Sequence, residues 1–91
     1  MTIAFDVDGT LIDKNDHPRQ EVIALLKALA SSKRNQIIIW SGGGENYAAM
    51  WGRRLQLDNH VWSYWGKIGS PQVDLAIDDQ EVKLGKVNIK I

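Results

Sequence analysis

Three short apolar runs constrain this chain more than any other feature. Thr2–Val7, Gln36–Trp40 and Val73–Ile77 are rich in Ile, Val and Phe, and each has the length of a buried strand rather than a helix. The segment between the first two changes period. Val22, Ile23, Leu25, Leu26 and Leu29 fall at helical spacing, Pro18 suits the first turn of that helix, and Ser31–Asn35 closes it. Glu45–Leu55 reads as a second helix with Tyr47, Met50, Trp51 and Leu55 along one face, although Gly52 inside it costs about 1 kcal/mol of propensity. Val61–Trp65 is a further strand, and the alternation of Val87, Ile89 and Ile91 marks Lys86–Ile91 as the last. Strand and helix alternate at the start, so the pattern predicts an α/β fold with a small, mostly parallel sheet, as one domain over residues 1–91.

In such sheets ligands bind beyond the carboxyl ends of the strands. The residues able to do chemistry collect there: Asp6 and Asp8 after the first run, Ser41 after the second, Lys67 after Val61–Trp65, and Asp78 with Asp79 after Val73–Ile77. Two carboxylates one residue apart at the end of an apolar strand are costly unless something compensates their charge. A divalent cation does so with oxygen ligands of this kind. An aspartate beside a cation can attack phosphorus, and a second carboxyl can carry the proton. The run Gly42-Gly43-Gly44 opens a helix and offers backbone N–H groups to an anion. Taken singly, Ser41 also suits a turn or helix cap, Lys67 an ordinary surface lysine, and Asp78-Asp79 a turn.

Composition removes other classes. The chain has no cysteine, which excludes disulfides, zinc–thiolate sites and a cysteine nucleophile. Lys plus Arg and Asp plus Glu number 11 each, so there is no basic footprint to favour nucleic acid or an anionic membrane, and little repulsion to prevent homo-oligomers. No apolar run reaches membrane-spanning length and the first residues lack the signature of a signal peptide, so the cytoplasm is the expected location. Trp40, Trp51, Trp62 and Trp65 are expected to fill core, with Trp65 nearest the chemical residues; His17, His60 and the pair Arg53-Arg54 are expected to face solvent.

The stretch Asp6-Val7-Asp8-Gly9-Thr10 after a first strand resembles motif I of the haloacid dehalogenase superfamily. Ser41 is similar to the motif II serine or threonine, Lys67 to the motif III lysine, and Asp78-Asp79 to the acidic pair of motif IV, in the family's order. The resemblance implies a three-layer Rossmann-like core and a magnesium-dependent phosphohydrolase that cleaves a phosphate monoester through an aspartyl-phosphate. By the same resemblance Asp6 would be the nucleophile and Asp8 the general acid and base. Ser41 and Lys67 would act on the transferring phosphoryl group, with Gly42 and Gly43 in the phosphate loop. Mg2+ would be held by Asp6, the Asp8 backbone carbonyl and Asp78, with Asp79 supporting. The positions where larger relatives insert a cap hold only Leu11–His17 and no spare residues before Lys67, which implies a capless, open site. Family members usually carry a helix between motifs III and IV; here Gly69-Ser70-Pro71 forbids a long one. Two other readings stay open: a non-catalytic phosphate-binding or regulatory domain, and a phosphatase acting on nucleic-acid ends.

Overall fold

The computed structural model describes all residues, 1–91. Its strands are β1 (Thr2–Asp6), β2 (Gln36–Ser41), β3 (Ser63–Gly66), β4 (Val73–Asp78) and β5 (Gly85–Lys90), and its helices are α1 (Gln20–Ala30) and α2 (Glu45–Arg54). The strands form one sheet in the order β3-β2-β1-β4-β5, and every pairing is parallel. This is the α/β class read from the sequence, with β1 at the centre.

Central parallel strands are buried on both faces, which is why β1 and β2 are almost continuously apolar. Ile3, Phe5, Ile37, Ile39 and Ile77 form one core cluster with Val22, Ile23 and Leu26 of α1 and Ala48 and Trp51 of α2. Ala4, Ile38, Trp40, Val73 and Ala76 form a second cluster, covered by Trp65, Val82 and Leu84. Both helices therefore lie on one face. The steps from β1 to β2 and from β2 to β3 run in the same direction, and two right-handed crossovers in one direction put both helices on the same side. The opposite layer, for which the sequence suggested helices, is built from irregular connection.

The reason is chain length. Residues 79–84 must return from the end of β4 to the start of β5, and their extended reach is only about 20 Å, the length of the strand itself. No helix fits in that span. Asn88 secures the return: its Oδ1 accepts the N–H groups of Leu84 (3.0 Å) and Gly85 (2.9 Å), and its Nδ2 donates to the Gly85 carbonyl (2.8 Å). The connection 67–72 likewise crosses from β3 to β4 without a helix.

Several boundaries and burials differ from the sequence reading. Helix α1 begins at Gln20, because Pro18 is engaged in a bridge with Ile12 and the Arg19 N–H donates to the Leu11 carbonyl. Leu25 (41% exposed) and Met50 (40%) lie at the rims of their helical stripes, uncovered by the sheet. Trp40 and Trp51 are core, as expected, but Trp62 is 56% exposed and packs edge-on against half-buried Trp65, with ring centroids 6.1 Å apart. Gly52 has a packing reason: a Cβ there would lie 2.3 Å from Cε1 of Tyr64. Removing that side chain lets β3 approach the α2 backbone.

Candidate active site

The strand order reverses direction at β1, with β2 and β3 to one side and β4 and β5 to the other. That is the position where open parallel sheets form a crevice at their carboxyl ends. The register brings the strand ends level: Asp6 faces Trp40 across β1–β2, Phe5 faces Ile77 across β1–β4, and Ser41 faces Gly66 across β2–β3. Asp6, Ser41, Lys67 and Asp78 thus arrive at one edge from four strands.

Asp6 is 6% exposed and each of its oxygens has a partner. Lys67 Nζ lies 2.7 Å from Oδ1, and Thr10 Oγ1 donates to Oδ2 at 3.1 Å. The same ammonium donates to Asp78 Oδ2 at 2.7 Å, and the second Asp78 oxygen accepts the Gln80 N–H at 3.0 Å. The Lys67 backbone N–H donates to the Ser41 carbonyl at 2.9 Å, which fixes where the chain leaves β3 and directs the side chain inward. The short connection after Lys67 does not impede this placement.

The electrostatics follow from burial and charge. Burial pushes the Asp6 carboxyl up to about 6; Lys67 opposes the shift, and Asp78 and Asp79 add to it. Burial works against the Lys67 charge, but Asp6 and Asp78 more than offset it and hold the ammonium above its ordinary range. Burial works to raise Asp79, yet hydrogen bonds from Gln80 and its coupling to Asp78 and Asp6 keep it low. Asp6 and Asp79 are therefore pushed apart in acidity, with Asp6 the weaker acid.

Asp6, Asp78 and Asp79 each offer an oxygen such that the three lie within 4.8 Å of one another, two of the residues being buried. An oxygen-only set of this size suits a hard divalent cation. Gly9 makes the arrangement feasible. Its φ is +83°, and a Cβ there would stand 2.1 Å from Asp79 Oδ2, so the acidic pair closes over bare backbone. The Asp8 carboxylate does not join the cluster: it is exposed, and its Oδ1 accepts the Tyr47 hydroxyl at 2.8 Å. That bond raises the Tyr47 phenol pKa, burial adds to it, and the Trp51 indole opposes.

Ser41 is buried at the end of β2, and its Oγ accepts the Gly43 N–H at 2.9 Å. The Gly44 N–H donates to the Ser41 carbonyl at 3.1 Å. The N–H groups of Gly43 and Gly44 are thus turned inward to shape the loop, while Gly42 is exposed with open space where a Cβ would be. Gly44, with φ +105°, precedes α2.

Three contributors went beyond the sequence reading. Thr10 is fully buried, and its hydroxyl lies 3.1 Å from Asp6 and 3.4 Å from Asp79, so its one proton orients the nucleophile candidate. Its spacing four residues after Asp6 across a turn was the available signal. Tyr47 was read only as part of a helix face. Arg19 Nη1 donates to the Gly9 carbonyl at 2.8 Å, tying the turn after β1 to the start of α1. His17 is exposed and pairs with Asp13 at 3.6 Å, and Arg53 and Arg54 are exposed, Arg54 over the Trp51 ring at 4.9 Å.

No family model matches the chain, and no solved structure matches it. It is 42% identical over 52 residues to the probable alpha,alpha-trehalose-phosphate synthase [UDP-forming] 7 of Arabidopsis thaliana. The match takes in 54% of this chain and spans only 6% of that relative's length. No helix is long and apolar enough to cross a membrane.

Proposed function

We propose that this chain is a magnesium-dependent phosphohydrolase of the haloacid dehalogenase type, acting on phosphate monoesters. The observation that carries the reading is the double hold on Asp6, by Lys67 at 2.7 Å and Thr10 at 3.1 Å, inside a carboxylate triad sized for one cation. A nucleophile needs a fixed trajectory and a neutralised surround, and phosphoryl transfer depends mainly on positioning and charge stabilisation.

Asp6, Asp78 and Asp79 would hold Mg2+, with the Asp8 carbonyl as a further ligand. The cation would supply charge neutralisation for the carboxylates and the phosphoryl oxygens. An Asp6 oxygen attacks phosphorus as the P–O bond to the leaving group breaks, and Asp8 gives its proton to the departing oxygen. Asp8 then takes a proton from water as that water attacks the aspartyl-phosphate, which releases inorganic phosphate and regenerates Asp6. Lys67 offsets the charge between Asp6 and the phosphate, and the Ser41 hydroxyl with Gly42 contacts the phosphoryl oxygens. A site of this form sits open at the sheet edge, and substrate choice then falls to groups around Asp8, Tyr47 and the 13–16 loop.

The second reading, a phosphate-binding domain without turnover, draws on the Ser41–Gly43 hydrogen bond, which shapes the loop without any anion. It leaves the buried, doubly held Asp6 without a purpose. Hydrolysis of 4-nitrophenyl phosphate, with Mg2+ and with chelator, separates the two. Turnover that needs Mg2+ and vanishes in Asp6→Asn is expected; folded protein that binds phosphate but never turns over would favour the second reading.

A further inference from the structure

We infer that Tyr47 is a positioning residue for Asp8, holding its carboxylate at the reacting centre from the first turn of α2; the inference rests on the phosphohydrolase reading above. Asp8 differs from the other acids of the site. It is exposed and lies outside the cluster of Asp6, Asp78 and Asp79. An exposed aspartate on a turn would sample several rotamers, and a proton-transferring group must be held within hydrogen-bond reach of one atom. Its side-chain partner is the Tyr47 hydroxyl, 2.8 Å from Oδ1.

Tyr47 is built for holding. Its ring is half-buried against the main core cluster, so the hydroxyl projects from a fixed base. The ring also lies against the glycine loop: a Cβ at Gly43 would stand 3.4 Å from its Cγ and Cδ2. One side chain therefore spans the loop after β2 and the turn after β1. The Tyr47 donor occupies Oδ1 and leaves Oδ2 of Asp8 for the proton that passes to the leaving oxygen and is later recovered from water.

The consequence is selective. A good leaving group departs without a proton, whereas a poor one needs it as the P–O bond breaks. Tyr47→Phe keeps the ring and its packing and removes only the hydroxyl. With Mg2+ present, kcat/KM of Tyr47→Phe on phenyl phosphate, which ends with phosphorylation of Asp6, should fall about tenfold or more, a part of what general acid catalysis supplies. The loss of kcat/KM on 2,4-dinitrophenyl phosphate should be much smaller, because that departure needs no proton, whereas kcat on this ester should fall as clearance of the aspartyl-phosphate slows. If Tyr47 acts through Asp8, the Tyr47→Phe/Asp8→Asn double variant should be no slower than Asp8→Asn alone. Equal losses of kcat/KM on both esters, an unchanged kcat/KM on phenyl phosphate, or additive losses in the double variant would overturn the inference while wild-type turnover left the phosphohydrolase reading standing. Wild-type protein with no Mg2+-dependent turnover on either ester would overturn both.

Discussion

Lys67 Nζ stands 2.7 Å from Asp6 Oδ1, although the two residues end strands separated by β2. The contact is sustained by Asp78, which takes the same ammonium at 2.7 Å. One lysine is thus shared between two buried carboxylates and offsets one of their two charges. Removing one partner of a buried pair leaves the other uncompensated and costs about 3–5 kcal/mol. Lys67→Met is expected to lower stability by about 3 kcal/mol in chelator at neutral pH. A divalent cation would take over the neutralisation, so Mg2+ should recover more stability in the variant than in wild type. Thermal unfolding with and without Mg2+ reads both effects.

Asp6 carries its charge at a cost. Burial penalises the ion and pushes its carboxyl from the ordinary 3.8 up to about 6 in the fold. Below the lower value it is protonated in both folded and unfolded chains and contributes no pH dependence. Between the two values the folded state keeps a proton that the unfolded state has released, so stability falls as pH rises and levels off above about 6. Asp6→Asn should therefore be the more stable protein at neutral pH in chelator, by on the order of 1–3 kcal/mol, with the advantage shrinking as pH falls through that window. Urea unfolding across pH values measures it. A variant less stable than wild type at neutral pH would mean that the bond to Lys67 outweighs the desolvation of Asp6.

Gly9 is where backbone conformation and charge meet. A side chain there would have to tolerate φ +83° and occupy the space of the Asp79 carboxylate, 2.1 Å away. Gly9→Ala should cost about 1–3 kcal/mol of stability through backbone strain. It should also displace Asp79 and weaken Mg2+ binding, as read by calorimetry. Stability loss with unchanged Mg2+ affinity would show that Asp79 is dispensable to the cation.

Much of this architecture was legible because the apolar runs are short, β-branched and separated by helical periodicity. Ile37, Ile38 and Ile39 had no solvent face to show, which reads as a central parallel strand, and that is the place of β2. The chemical residues were legible by where they stopped each run. What the sequence concealed were contacts set by distance in the chain. Tyr47 reaches Asp8 across 39 positions and Thr2 binds Asp74 across 72, and no local pattern encodes either. The bridge of Pro18 with Ile12 and the exposure of Trp62 are likewise tertiary outcomes. Helix period predicted Leu25 and Met50 as core, but the sheet is too narrow to cover the rims of both stripes.

The central claim is that Asp6 becomes covalently phosphorylated. The most direct measurement is acid-quench trapping during turnover of 2,4-dinitrophenyl phosphate with Mg2+, followed by peptide mass spectrometry. The Asp8→Asn variant is the protein of choice, because it retains the nucleophile and loses the base that clears the intermediate. The account predicts one added phosphoryl group on the peptide containing Asp6, labile to hydroxylamine and absent from an Asp6→Asn control. Turnover with no trapped phosphoenzyme in Asp8→Asn, or a phosphoryl group on any residue other than Asp6, would contradict it.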